Sequence, residues 1–344
     1  MNVFQNFNKL LLGVVVWVSI AASATENPRP ICIKSLYLVE DCDLCGCTTG
    51  SGSTGFGTLN NSNFVGARYI YQNFESKSGI FSNSPKSEEQ FSTFQLWTQV
   101  PVYKNFYITA TVPYQDLRRK LIDGNEHING LGDISVIGWY KLQFKKKKVK
   151  ENSATFVDST ATPKMKVEVN DTIVPKSPHS VQFGLGVKLP TGEFEQALTD
   201  RVNPGFQVGT GSFDGIFSVG YNMALDRFGL NTLATYYVKG ENKNQYRFGN
   251  QFSYSANAFY TFPGTKTNIL PFLGISGDVY DLIEQYNETL ANTHGNIINS
   301  SIGTEMVVNK FIVGASYTLP LSQNLFGGDV EAKNRFSIYV NYAL

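Results

Sequence analysis

Apolar and polar residues alternate with a period of two in segment after segment of this 344-residue chain, from about residue 64 to its last residue. That is the side-chain repeat of a β-strand, in which every second residue lies on the same face. The final residues show it plainly. Phe336, Ile338, Val340, Tyr342 and Leu344 are apolar, while Arg335, Ser337, Asn341 and Ala343 are polar or small. Strands with one apolar and one polar face fit a closed barrel whose outside meets lipid and whose inside is a polar lumen.

Twelve alternating segments can be counted, separated by turn chemistry. They run over about 64–75, 89–100, 106–117, 132–144, 180–189, 207–224, 228–239, 245–262, 268–282, 295–308 and 311–321, with the C-terminal strand last. The fifth is the cleanest: Val181, Phe183, Leu185, Val187 and Leu189 alternate with Gln182, Gly184, Gly186 and Lys188. An even number suits antiparallel closure with both ends on one side. With the termini taken as periplasmic, the turns near 104, 226, 264 and 309 are short and share that side. The longer loops near 76–88, 118–131, 190–206, 283–294 and 322–334 fall on the other. The fold class expected is therefore all-β, an antiparallel up-and-down transmembrane β-barrel of about twelve strands.

Residues 1–24 read as a secretory signal peptide. Lys9 is the positive flank, Leu10 to Ala22 the apolar stretch, and Ala22-Ser23-Ala24 the small-residue cleavage site. The apolar stretch is short for a membrane anchor, and no later stretch is long and apolar enough for a membrane helix. Residues 63–344 form the barrel. Lys and Arg number 29 against 28 Asp and Glu, so the charge balance gives no support for nucleic-acid binding. Aromatic residues reach 13%, which suits girdles at the two membrane interfaces.

One connection is out of proportion. Residues 145–179 open with Lys145-Lys146-Lys147-Lys148 and continue with Ser, Thr, Asp and Pro. The composition reads as a disordered insert, either a solvated linker or an electrostatic contact with an acidic partner or lipid headgroups. Ahead of the barrel, residues 25–62 form a Cys- and Gly-rich periplasmic segment. Its Cys32, Cys42, Cys45 and Cys47 allow two disulfides, a soft-metal site for Cu or Zn, or a redox dithiol. The CxxC lacks a second such pair or a nearby His, and Gly46 after Cys45 argues against covalent haem.

Several charged residues fall on the polar face. Arg68, Asp133, Lys188, Asp214 and Arg247 are expected to point into the lumen, because charge facing lipid is costly. They either form a selective constriction or pair with one another to plug and brace the barrel. Near them, Pro190 and the glycines of Thr191-Gly192 allow the backbone to bend or a loop to fold inward. No catalytic constellation is present. His127, His179 and His294 each fall in a loop or at a strand end, without a neighbour at metal-ligand spacing.

These residues carry a family resemblance. Cys42-Asp-Leu-Cys45-Gly-Cys47, Asn63-Phe-Val-Gly66-Ala-Arg68-Tyr69, Gly130-Leu-Gly-Asp133-Ile-Ser135 and Gly186-Val-Lys-Leu-Pro-Thr-Gly192 occur in that order. Gly209-Thr-Gly-Ser-Phe-Asp214, Tyr246-Arg-Phe-Gly-Asn250 and Pro320-Leu-Ser-Gln-Asn-Leu325 follow. Together they resemble a family of outer-membrane transporters similar to the barrel encoded with the meta-pathway of phenol degradation. Its Cys-rich N-terminus resembles a variant of that group. The resemblance implies location in the outer membrane of a Gram-negative bacterium and passage of small, often aromatic or apolar, molecules, without enzyme activity. The implied partners are outer-membrane lipid, the barrel-assembly machinery and a small-molecule solute, with the oligomeric state left open. Leu344 departs from the aromatic residue that ends many such chains. The other reading is a barrel that anchors the cysteine segment for soft-metal or partner binding, and a soluble periplasmic β-protein is the third.

Overall fold

The computed structural model describes residues 63–77, 84–122, 124–145, 176–194 and 203–344. The signal peptide, the four cysteines and most of the Lys-rich insert lie outside the described residues. Twelve strands close into one antiparallel barrel. They are β1 (Phe64–Lys77), β2 (Lys86–Tyr103), β3 (Phe106–Lys120), β4 (Ile134–Lys145), β5 (Lys176–Leu189) and β6 (Asp214–Leu225). There follow β7 (Phe228–Val238), β8 (Gln251–Tyr260), β9 (Thr267–Tyr280), β10 (Gly295–Val308), β11 (Phe311–Leu325) and β12 (Val330–Ala343). Each strand pairs with its neighbours in sequence. The last returns to the first in the register Phe64↔Ala343, Ala67↔Val340 and Tyr69↔Ile338. Closure leaves no open edge, which is what lipid demands of a β-structure.

The alternation sorts the faces as expected. On β12, Phe336, Ile338, Val340 and Tyr342 point outward, with Leu344 exposed just past its end, and Arg335, Ser337, Tyr339 and Asn341 are buried inside. Leu96, Leu185 and Leu273 each leave more than 60% of their surface uncovered by protein, as lipid-facing side chains do.

Strand ends and short turns share one rim. Lys104-Asn105, Asp226-Arg227 and Asn309-Lys310 turn there, with Asp226 and Asn309 at positive φ. Outward aromatics gather just above, pairing as Phe106–Tyr140, Tyr260–Phe262 and Phe311–Tyr342 with ring centroids 4.7, 4.8 and 5.1 Å apart. Lys104 and Lys310 lie over the rings of Tyr103 and Tyr342. This is an interfacial girdle, with apolar ring bodies toward lipid and cations toward the headgroups.

The other rim carries the long connections and departs from simple alternation. The expected loop near 118–131 contains a strand, Asn125–Leu131, which continues the wall above β4 and pairs with upper β3. Between them Gly132 and Asp133 form a bulge: Leu131 faces Tyr114 and Ser135 faces Thr111, four residues against three. An extra residue reverses the facing parity, so Ile128 and Asp133 both point inward. The sixth strand begins at Asp214 rather than near 207, and the eighth at Gln251 rather than near 245. Residues 203–210 are almost wholly buried, because the chain folds into the barrel mouth there and both of its faces are covered.

Candidate functional site

Three motifs meet at that mouth. Asp133, at the bulge, accepts hydrogen bonds from the Gly192 amide at 2.9 Å and from the Thr210 amide and hydroxyl at 2.8 Å each. Lys188, at the top of β5, contacts Asp133 at 2.9 Å and Asp214 at 2.8 Å. Asp214 also accepts from the Ser212 hydroxyl at 2.8 Å and the Gly240 amide at 3.0 Å, and faces Lys239 at 3.4 Å. The four charges balance and all four side chains are buried. Their hydrogen bonds are what make such burial tolerable.

This cluster pins residues 203–213 inside the barrel mouth. Gly209 packs directly on Gly192, and a Cβ on Gly209 would overlap the Gly192 backbone. The Gly209 amide donates to the Glu193 carbonyl at 3.1 Å, and the Gln115 side chain donates to the Val208 carbonyl at 3.3 Å.

A second buried cluster holds the other end of the segment. Glu89 on β2 receives Arg119 of β3 at 2.8 Å and the Ser76 hydroxyl at 2.5 Å, and also the Asn203 amide. The Arg119 guanidinium lies 4.2 Å from the centroid of the Phe206 ring, a cation–π contact in a desolvated setting.

Between the latches the mouth is apolar. Phe206 and Val208 join Phe74, Phe91 and Leu117 from the barrel wall, with Phe194 and Phe248 from loops and Tyr280, Ile297 and Leu325 from the far strands. All are buried, and they form one continuous cluster, an apolar collar, inside the loop-side rim. Barrel interiors are usually polar. Below the collar this one is polar too, mostly with neutral amides and hydroxyls such as Gln72, Gln95, Gln182, Asn222, Asn231, Ser255 and Asn299.

The site residues expected from sequence thus divide. Asp133, Lys188 and Asp214 come together, and Lys239, which the alternation did not single out, completes their set. Arg68 also points inward, but lower in the lumen. Its Nε donates to Gln95 at 2.8 Å and its guanidinium lies over Trp97. Arg247 does not face the lumen. It sits in the two-residue strand Tyr246–Arg247, which joins Glu284–Gln285 and Glu288–Thr289 in a small sheet built from two loops. There it pairs with Glu284, half-exposed. The left-handed Gln245, with φ 54°, re-aims the chain just before it, so strand parity cannot be carried back from β8. Glu89 and Arg119 were missed. Both lie at odd, inward positions of β2 and β3: Glu89 opens the second counted segment, and the alternation carried two residues past the third would have reached Arg119.

Beside that small sheet is a cavity of about 510 Å³, lined by Arg247, Asn250, Asp281, Glu284 and His294 together with Phe248 and Tyr280 of the collar. His127 bonds to Asp116 at 2.9 Å and His179 to Tyr221 at 2.7 Å. No group of three or more metal-ligating side chains occurs among the described residues.

An outer-membrane channel from Pseudomonas putida F1 superposes with a TM-score of 0.56 at 10% identity, over 83% of this chain and 97% of that one. The β domain of the Bordetella autotransporter BrkA gives a TM-score of 0.48 at 7% identity, over 83% of this chain and all of that one. No curated protein matches. Residues 86–317, well over half of the chain, match the profile of the family described as the MetA-pathway of phenol degradation. The chain is an outer-membrane β-barrel and belongs to that phenol-degradation family.

Proposed function

We propose that this barrel passes small aromatic or apolar molecules across the outer membrane, with the apolar collar as the first station. The observation that carries this reading is the ring of buried Phe, Leu, Ile and Tyr side chains inside the loop-side rim, where a salt-conducting porin would present charge and water. With both termini periplasmic, the collar faces the cell exterior. An apolar solute leaving water gains about 25 cal/mol for each Å² that it buries, so the collar concentrates such solutes at the mouth. The neutral amides below allow onward movement without a deep trap, since conduction needs binding weak enough to release. The charge cluster of Asp133, Lys188, Asp214 and Lys239 is internally balanced and serves here as a brace for the inward segment rather than as a selectivity ring.

The test is uptake of N-phenyl-1-naphthylamine, an apolar aromatic dye that an intact outer membrane excludes. Cells carrying the barrel should take up dye faster than cells without it, and Phe206→Asp should abolish the gain while leaving the amount of heat-modifiable barrel unchanged. Dye uptake equal to that of cells without the barrel, together with large salt currents from the purified protein in planar bilayers, would instead identify a hydrophilic pore.

A further inference from the structure

One lumen carboxylate has no role in the inward segment and no basic partner among the described residues. Glu305 on β10 is fully buried, and the Tyr339 hydroxyl donates to its Oε1, but its Oε2 has no hydrogen-bond partner among the described residues. At the mouth, the buried carboxylates Glu89, Asp133 and Asp214 each touch a Lys or Arg, and Asp278 accepts from the Ser253 hydroxyl at 2.7 Å. A buried carboxylate without a counter-charge is strongly disfavoured, so this group is neutral until a proton-bearing cation pairs with it.

The surroundings specify what kind of cation. Strand pairing places Glu305 opposite Gly314, Gly314 opposite Tyr339, Asn341 opposite Gly66 and Gly66 opposite Trp97, a belt across five adjacent strands. A Cβ on Gly314 would overlap the Tyr339 ring, and one on Gly66 would overlap Asn341, so the glycines let these side chains lie against the wall. Trp97 and Tyr339 meet edge to face with centroids 6.5 Å apart. Asn341 contributes two buried polar atoms without partners among the described residues, and the Trp97 indole N–H is a third. Arg68, the nearest lumen cation in register, turns its guanidinium to Gln95 on β2, the side of β1 away from Glu305.

We propose that this belt binds an aromatic ammonium ion, with its N–H groups on the Glu305 carboxylate and Asn341 and its ring against Tyr339 and Trp97. A carboxylate supplies the ion pair, aromatic faces attract the cation, and the free amide satisfies the remaining donors. The proposal rests on the reading that solutes enter this lumen, and it names a substrate class for it. Binding to purified protein separates the two, since uptake of a neutral dye does not depend on Glu305.

The experiment uses full-length protein in detergent, with Trp17→Phe and Trp139→Phe leaving Trp97 as the sole tryptophan. The probe is 4-nitrobenzylammonium, a tryptophan quencher, against its neutral counterpart 4-nitrobenzyl alcohol. Saturable quenching is expected with the ammonium, and at least about tenfold weaker binding with the alcohol, as suits a hydrogen bond to a charged group. Glu305→Gln should lose about tenfold in affinity for the ammonium, and Glu305→Asp should restore most of it. Tyr339→Phe keeps the ring and removes the competing hydroxyl, so it should retain the preference for charge. Equal binding of the two probes overturns the proposal, as does unchanged ammonium affinity in heat-modifiable Glu305→Gln. Should both Glu305 variants fail to fold, loss of the charge preference in Tyr339→Phe overturns it.

Discussion

Lys188 holds two carboxylates within 2.9 Å and is itself buried, so its worth is best judged by what its removal would strand. Lys188→Met leaves Asp133 and Asp214 with Lys239 as their remaining cation, and breaking a buried pair in this way costs about 3–5 kcal/mol. Unfolding in urea should show a loss of that size, and Asp133→Asn in the same chain should recover part of it because it removes one stranded charge. A double-mutant cycle reads the coupling directly. Arg247 supplies the contrast. The hydrogen bond to the Glu284 carboxylate raises its guanidinium above the ordinary arginine value, against an opposing effect of burial. A raised folded-state value stabilises at every pH below the unfolded one and is lost only in strong alkali, so no pH dependence is expected between about pH 5 and pH 9. The pair is half-exposed and screened by solvent, so Arg247→Ala should cost less than about 1 kcal/mol.

The inward segment at 203–213 is the element that distinguishes this barrel from a plain cylinder, and it shows where the sequence stops being readable. Strand count and order follow from alternation because one face of each strand meets lipid throughout its span. Alternation fails at Gly132-Asp133, where a single bulged residue reverses parity, and at 203–210, where both faces are covered and the polar residues are satisfied by partners distant in sequence. Even so, the three charged motifs that meet at the segment were each visible as glycine-flanked charges. Their convergence was not, since it depends on Gly192 lying against Gly209. The same contacts yield a prediction. Asn203→Ala with Phe206→Ala removes the contacts to Glu89 and Arg119 but touches no barrel strand. Single-channel conductance should rise and fluctuate, with the folded, heat-modifiable form fully retained. Failure of that variant to form a barrel would make the segment a part of the fold instead of an occupant of its mouth.

At the scale of the whole molecule, the side-chain repeat divides one chain between two solvents, and neighbouring residues should therefore respond in opposite ways. Phe183 and Gln182 are adjacent on β5, the first outward and 45% uncovered, the second inward and buried. Phe183→Lys presents an ammonium to hydrocarbon, at a cost of about 2–4 kcal/mol near the bilayer midplane. Gln182→Lys places the same charge among lumen amides, where snorkelling and water relieve it, and the loss should stay below about 1 kcal/mol. Urea titration in lipid vesicles measures both. The inward variant should also shift the reversal potential in a salt gradient toward anions, because the added charge lines the path that ions follow, and the outward variant should leave it unchanged. The paired outcome tests more than either half. A shift in both would mean that the lumen is not the conducting route, and a shift in neither would mean that no ion passes Gln182. That second result favours a lumen that accepts solutes one at a time through its apolar collar.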